Sequence, residues 1–173
     1  MVSDETLILE FQRGSRDAFE ELFARYREPI YGFFRRRLPD RQRAEDLTQE
    51  TFLAVIRASS RYEPRAAARS YLYGIAFKLV AAERRSLARQ GLAAPQPAEP
   101  ATRDAGDVGD AALWVREALA RLDPSEREIL MLREYEQLSY AEIADLLRLP
   151  LNTVRTRLFR ARLALKEHLH ATR

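Results

Sequence analysis

The stretch that decides the reading is Leu138–Arg162, LSYAEIADLLRLPLNTVRTRLFRAR. Ser139 stands three residues before Glu142, the spacing of a capping box that starts a helix. Ile143, Leu146 and Leu147 recur at helical spacing and give that helix one apolar face. Pro150 stops it, because proline disfavours helical geometry in the residue before it. Asn152 reads as the N-cap of a second helix, predicted over 152–166, which buries Val154, Leu158, Ala161 and Leu165. It turns Arg155, Thr156, Arg157, Phe159, Arg160 and Arg162 to other faces. Two short helices joined by a tight turn, the second one cationic, make the helix-turn-helix geometry that enters a DNA major groove. A basic amphipathic helix by itself reads equally as a solvated face. The capped helix and the turn in front of it favour DNA.

The charge is arranged the same way. From Asn152 onward Arg155, Arg157, Arg160, Arg162, Lys166 and Arg173 face only Glu167, whereas acids outnumber bases from Leu113 to Leu147. Positive charge is concentrated on the element that would meet phosphate. Over all 173 residues the formal net charge is only +3, too little for bulk electrostatics to make a strong nucleic-acid binder. No cysteine is present, which removes disulfides, thiol nucleophiles and cysteine-based zinc sites and suits a reducing cytosol. The N-terminus, MVSDETLILEF, lacks the basic start and apolar core of a signal peptide. No run approaches the roughly 20 apolar residues that span a bilayer. No cofactor and no metal site are expected, nor a small-molecule substrate or a membrane partner.

Towards the N-terminus the chain reads as helices throughout. A short one is predicted over 3–14, closed by Gly14. A second, over 17–38, carries the stripe Phe19, Leu22, Phe23, Tyr26, Ile30, Phe33 and Phe34; Pro29 inside it should kink or split it. Arg35, Arg36 and Arg37 suit the negative end of its dipole and read as a solvated cationic terminus or a DNA contact. A third helix, over 41–59, can bury Ala44, Leu47, Phe52, Val55 and Ile56 and leave Glu45, Asp46, Gln49, Glu50 and Arg57 outside. Asp46 and Glu50 project from the same side. A catalytic or metal-binding pair would want inward histidines or further carboxylates nearby, and the only histidines are His168 and His170. A polar surface for a protein partner fits better. Residues 60–69 read as a loop. The fourth helix, over 70–90, buries Tyr71, Leu72, Ile75, Leu79 and Ala82. Its Tyr71, Tyr73, Phe77, Lys78, Arg84, Arg85 and Arg89 interleave rings with cations, a mixture suited to single-stranded or melted DNA; the same rings read equally as core.

Residues 91–110, GLAAPQPAEPATRDAGDVGD, hold three prolines, three glycines and four acids without apolar period. They read as a flexible linker. The fold class is therefore all-α: two small helical domains, 1–90 and 111–173, joined by that linker. The second opens with a helix over 111–121, and Asp123-Pro124-Ser125-Glu126 starts another that runs to Tyr135.

At this point the residues resemble a family, the bacterial extracytoplasmic-function group of sigma factors, the minimal two-domain members of the sigma-70 family. Three stretches carry it. Ala44–Leu53, AEDLTQETFL, looks like the family's helix for binding core RNA polymerase. Tyr71–Ala76, YLYGIA, looks like its promoter-melting segment. Leu122–Arg162 looks like its reader of the upstream promoter element. The resemblance implies that Asp46, Gln49, Glu50, Phe52 and Leu53 dock on the clamp helices of the polymerase largest subunit, and that the second-largest subunit's flap is a further partner. It implies that Tyr62, Arg65, Arg69, Tyr71, Tyr73, Lys78, Arg84 and Arg85 hold the opened minus-ten element. Ser139, Tyr140, Asn152, Thr153, Arg155, Thr156, Arg157, Phe159 and Arg160 would meet double-stranded minus-thirty-five DNA. The linker would thread towards the polymerase active-site channel. An anti-sigma partner and a cytoplasmic, nucleoid-associated location belong to the same expectation, and no enzymatic activity does. The chain departs from the family's usual residues at Tyr71 (tryptophan), Gly74 (arginine), Lys78 (asparagine), Ala82 (aspartate) and Arg148 (glycine). If position 148 needs a positive φ, arginine there carries strain of order 1 kcal/mol.

Two rivals stand beside this. An operator-binding helix-turn-helix regulator that works without polymerase would leave the Ala44–Leu53 surface unexplained. A helical enzyme using Asp46 and Glu50 would lack any histidine, cysteine or phosphate loop beside them.

Overall fold

The computed structural model describes residues 2–65, 67–92 and 110–171. Among them every regular element is helical: α1 (Asp4–Gln12), α2 (Arg16–Arg35), α3 (Arg41–Ala58), a 3-10 turn (Ser59–Arg61), α4 (Ala68–Arg89), α5 (Asp110–Ala120), α6 (Pro124–Glu134), α7 (Tyr140–Leu147) and α8 (Leu151–Ala171). The all-α expectation holds. The chain divides into two compact units, Met1–Ala98 and Glu99–Arg173. Of the predicted linker, 93–109 lies outside the described residues.

In the first unit, side-chain caps set the helix starts. Ser3 accepts from Thr6 N, Ser15 from Ala18 N, and Asp40 from Gln42 N and Arg43 N, which satisfies donors that have no partner within their own helix. Gly14, at φ +100°, turns the chain between α1 and α2 in a conformation that only glycine adopts freely. Ile8, Leu22, Ile30, Phe33, Leu47 and Leu72 are fully buried and form the shared core of α1 to α4.

Three expectations for this unit are corrected. Pro29 does not split α2, which runs unbroken past it. Pro29 is exposed, so the backbone bond it removes lies on the solvent side while Ile30, Phe33 and Phe34 stay packed on the other. The end of α2 is not a solvated cationic terminus. Arg35 and Arg37 are buried and turn back on the last carbonyls: Arg35 Nη1 donates to the Leu38 and Pro39 oxygens, and Arg37 Nη1 to the Phe33 oxygen at 3.0 Å. Along α4 the buried face is Leu72, Tyr73, Ala76 and Val80. Tyr71, Ile75 and Leu79 are only half-buried and Ala82 is exposed.

In the second unit, Asp123 caps α6, accepting from Ser125 N at 2.9 Å and Glu126 N at 3.4 Å. The predicted capping box at α7 is complete: Glu142 N donates to Ser139 Oγ at 3.2 Å, and Ser139 N to Glu142 Oε2 at 2.6 Å. Ile129, Leu132, Ile143, Val154, Leu158 and Ala161 close the core; Leu165 is half-buried. Asn152 is not the cap of α8. The helix begins one residue earlier, the Pro150 oxygen accepts from Thr153 N and Val154 N, and the Asn152 side chain accepts from Arg155 Nη1 at 3.3 Å instead.

The turn of the helix-turn-helix passes through Arg148 at φ 54°, ψ 46°, the left-handed region. A side chain there costs about 1–2 kcal/mol, partly offset in glycine by the entropy of a looser unfolded chain. Arg148→Gly is therefore expected to stabilise this unit by about 0.5–1 kcal/mol, read as a higher urea midpoint at unchanged slope.

Candidate nucleic-acid and partner interfaces

Three exposed surfaces carry the candidate residues. The first is on α3. Asp46, Gln49, Glu50, Leu53 and Ile56 follow one another at helical spacing and share one side of the helix. Leu53 is 47% and Ile56 41% exposed, so two large apolar side chains stand in water beside three polar ones. Gln42 Nε2 donates to Asp46 at 3.1 Å, and Arg43 bonds Glu50 at 3.2 Å and Glu83 of α4 at 2.8 Å. Arg43 thus holds the stripe against the rest of the unit. Next to it Phe23, Arg27, Tyr31, Glu45, Thr48 and Gln49 line a shallow cavity of about 430 Å³.

Phe52, expected on this surface, is not there. It is 3% exposed, and its ring lies 4.7 Å from Phe23 and 6.4 Å from Phe19. Ile56, expected in the core, is outside. It lies one turn beyond Phe52 at the same edge of the helix's buried arc; the aromatic rings of α2 cover Phe52 and leave Ile56 exposed.

The second surface surrounds the start of α4. Tyr62 and Tyr73 are buried; Tyr73 packs 5.7 Å from Phe33, and Tyr62 lies 5.0 Å from the half-buried Tyr71. Tyr62 and Tyr73 are packed in this conformation, so the mixed ring-and-cation face read from the sequence keeps only the half-buried Tyr71 and Phe77 beside its cations. Arg65, Lys78, Arg84 and Arg85 are exposed and Arg69 half-buried; Arg65 pairs with Glu63, two residues before it. Burial pushes the Tyr62 and Tyr71 phenols above their ordinary range, so both are neutral at any physiological pH.

The third surface is the N-terminal half of α8. Asn152, Arg155, Thr156, Phe159 and Arg160 are exposed, Phe159 by 68%. Thr156 Oγ1 donates to the Asn152 oxygen at 2.9 Å. Thr153 and Arg157 are half-buried. Arg157 lies towards the start of α6: the Asp123 carboxyl is held below its usual range chiefly by the Ser125 hydroxyl and backbone, and the Arg157 charge adds to it. Arg162 is turned away as well, paired with Glu134 of α6 at 2.7 Å. Ser139 is engaged in the capping box, and the Arg133 guanidinium lies 5.4 Å from the half-buried ring of Tyr140.

One feature of the second unit had no place in the sequence reading. Trp114, Val115, Leu130, Met131, Tyr135 and Leu165 line an apolar groove of about 600 Å³ between α5, α6 and α8. Trp114 and Tyr135 are exposed there. Unpaired apolar residues on α5 were the available signal.

Both units match known proteins. The family model of sigma-70 region 2 matches residues 22–90, and that of sigma-70 region 4 matches residues 112–165. The chain is similar to the RNA polymerase sigma-H factor of Pseudomonas aeruginosa, with 32% identity covering 96% of this chain and 93% of that protein. It is also similar to the ECF RNA polymerase sigma-E factor of Haemophilus influenzae, with 30% identity covering 93% and 92%. Among solved structures it resembles CnrH in complex with the cytosolic domain of CnrY (TM-score 0.71, 25% identity, 97% of each chain). The sigma factor RpoE from Bartonella quintana, solved with the anti-sigma factor NepR, shares the fold (TM-score 0.71, 22% identity, 90% of this chain and 98% of that one).

Proposed function

The chain belongs to the sigma-70 family, in the extracytoplasmic-function group of RNA polymerase sigma factors, and from that premise we propose how its surfaces share the work. As a sigma factor it binds core RNA polymerase and directs initiation at particular promoters. The observation that carries the division of labour is the α3 stripe. An exposed Leu53–Ile56 pair, following Asp46, Gln49 and Glu50 along one side of the helix, supports a protein-docking patch that joins apolar to polar groups. Asp46, Gln49, Glu50 and Leu53 dock there on the clamp helices of the largest subunit; Phe52 supports the patch from beneath. An operator-binding regulator would have no use for it.

The cations around the start of α4, Arg65, Arg69, Lys78, Arg84 and Arg85, take the phosphates of the opened minus-ten strand. Arg155, Thr156, Phe159 and Arg160 enter the major groove of the minus-thirty-five element, with Asn152 and Ser139 near its backbone. The apolar groove of the second unit takes an amphipathic helix of the flap of the second-largest subunit, anchored on Trp114 and Tyr135. An anti-sigma partner belongs to the same proposal. The working compartment is the cytoplasm, and no described helix is long and apolar enough to cross a membrane.

Neither DNA surface is large. Each phosphate contact is weakened by salt, so one unit alone binds DNA loosely. Tethering both on one polymerase raises the effective concentration of the second contact once the first is made. Promoter choice then comes from the assembly. Run-off transcription with core polymerase on a library of genomic fragments tests this: defined start sites that need the protein support it, and unchanged start sites refute it.

Arg160→Ala is expected to weaken holoenzyme binding to its upstream element by about 1–3 kcal/mol, the worth of one bidentate base contact. The loss should be confined to the cognate sequence in a competition gel-shift. An equal loss on unrelated duplexes would make Arg160 a phosphate contact only.

A further inference from the structure

The helix α1 lies outside the region of the chain matched by the sigma-70 region 2 model, which begins at residue 22. Yet it is bonded to both approaches of the minus-ten surface. Gln12 Nε2 donates to the backbone oxygens of Ser59 and Tyr62, the latter at 2.9 Å. The Ser59 carbonyl also accepts from Tyr62 N and so closes the 3-10 turn after α3; the Tyr62 carbonyl follows directly on it. At the other end Glu5 Oε1 accepts from Ala68 N at 2.8 Å. Ala67, at the N-cap position of α4, has no side chain able to cap it. A carboxylate from 63 residues away therefore does what a local serine or aspartate does at α1, α2 and α3. It also places a negative charge at the positive end of the α4 dipole.

The helix that supplies these two groups is itself fixed. Leu7 and Ile8 are buried. Arg25 of α2 bonds Asp4 at 2.7 Å and the Val2 oxygen at 2.8 Å, and the Tyr26 phenol donates to Asp4. Between the two grips the chain exposes Glu63, Pro64 and Arg65.

We propose that Glu5 and Gln12 are positioning residues for DNA opening: they hold the 3-10 turn and the first turn of α4 at a fixed distance and angle, so that Arg65, Arg69 and Lys78 are set for the opened strand before it arrives. This rests on the reading that those cations meet the melted minus-ten strand. Pre-ordering the surface removes the entropy cost of ordering it on binding. Loss of the brace lowers capture of single-stranded DNA and leaves the α3 docking stripe and the upstream reader as they were.

The test uses holoenzyme assembled with the full chain, and three readouts: affinity for core polymerase, affinity for duplex carrying the upstream element, and affinity for a single-stranded minus-ten oligonucleotide. The double variant Glu5→Ala with Gln12→Ala is expected to lose about tenfold on the oligonucleotide, the scale of two or more lost hydrogen bonds, with the other two unchanged. Glu5→Gln keeps an acceptor oxygen and should restore single-strand binding to within about twofold, whereas Gln12→Glu, which has no donor, should not rescue. Undiminished oligonucleotide binding by the double variant overturns the proposal. So does a parallel fall in all three affinities, which would mean that α1 only stabilises the unit. Failure of the wild-type holoenzyme to bind the oligonucleotide at all would instead remove the minus-ten reading on which the proposal stands.

Discussion

Phe52→Ala lowers the stability of the first unit by about 3–5 kcal/mol, while Leu53→Asp, one residue further on, leaves unfolding within about 0.5 kcal/mol of wild type and removes polymerase binding. The two side chains are neighbours in sequence and opposite in environment. Phe52 is 3% exposed and lies against Phe23 and Phe19; Leu53 is 47% exposed. Truncating Phe52 opens a cavity among rings that cannot collapse to fill it, and it forfeits edge-to-face contacts worth up to about 1.5 kcal/mol beyond the buried area. A domain of this size is stable by only about 5–15 kcal/mol, so the loss is a large fraction of the total. An aspartate at position 53 meets water in the free protein and costs nothing. In the complex it would bring an unpaired charge into the centre of an apolar patch, and a loss of at least about 2 kcal/mol is the scale of a central hot spot. Urea unfolding and co-purification with core polymerase read the two effects separately. Full polymerase binding by folded Leu53→Asp protein would show that the stripe is not the docking surface.

Arg37→Ala is expected to cost the first unit about 2–4 kcal/mol, a large effect for an arginine that reads from the sequence as solvated. Its side chain is 2% exposed. The guanidinium carbon lies 3.8 Å from the centre of the Phe33 ring, and Nη1 donates to the Phe33 oxygen at 3.0 Å. Removing it leaves that carbonyl, near the negative end of α2, buried without its donor, and it empties the volume of one of the largest buried side chains. Arg37→Lys is expected to recover only part of the loss, because an ammonium lacks the planar fork that stacks on the ring while bonding the carbonyl. Thermal unfolding of the three proteins side by side checks this. Wild-type stability for Arg37→Ala would contradict the packing described here.

What could be read in the sequence was local. Unlike the αL position at Arg148, signalled only by the glycine the family usually has there, the capping box of Ser139 and Glu142 and the Asp123-Pro124 helix start each depend on residues within a turn of one another. Their physics does not wait for the fold. The α3 stripe was legible for Asp46, Gln49, Glu50 and Leu53, which fall in the middle of the exposed arc. Helical spacing put Phe52 in the core, where it lies, and only the family resemblance set it on the surface; spacing failed for Ile56, one turn beyond Phe52 at the edge of the buried arc, where it permits either side. Tyr73 stayed open between core and DNA for a related reason: a ring next to cations has the same spacing whether a base or Phe33 will cover it. The burial of Arg37 and the survival of α2 through Pro29 depend on which way a guanidinium and a missing N–H point. The bonds from Gln12 to the 3-10 turn and from Glu5 to the start of α4 span 47 to 63 residues, and nothing in either stretch announces the other.

The central claim is that an exposed α3 stripe recruits polymerase while two separate cationic surfaces choose where it starts. Single-round transcription from a fragment library, comparing core enzyme alone, core with wild-type protein, and core with Leu53→Asp protein, tests it most directly. The account predicts discrete new start sites with the wild type and none with the variant. Identical transcripts in all three reactions would contradict it.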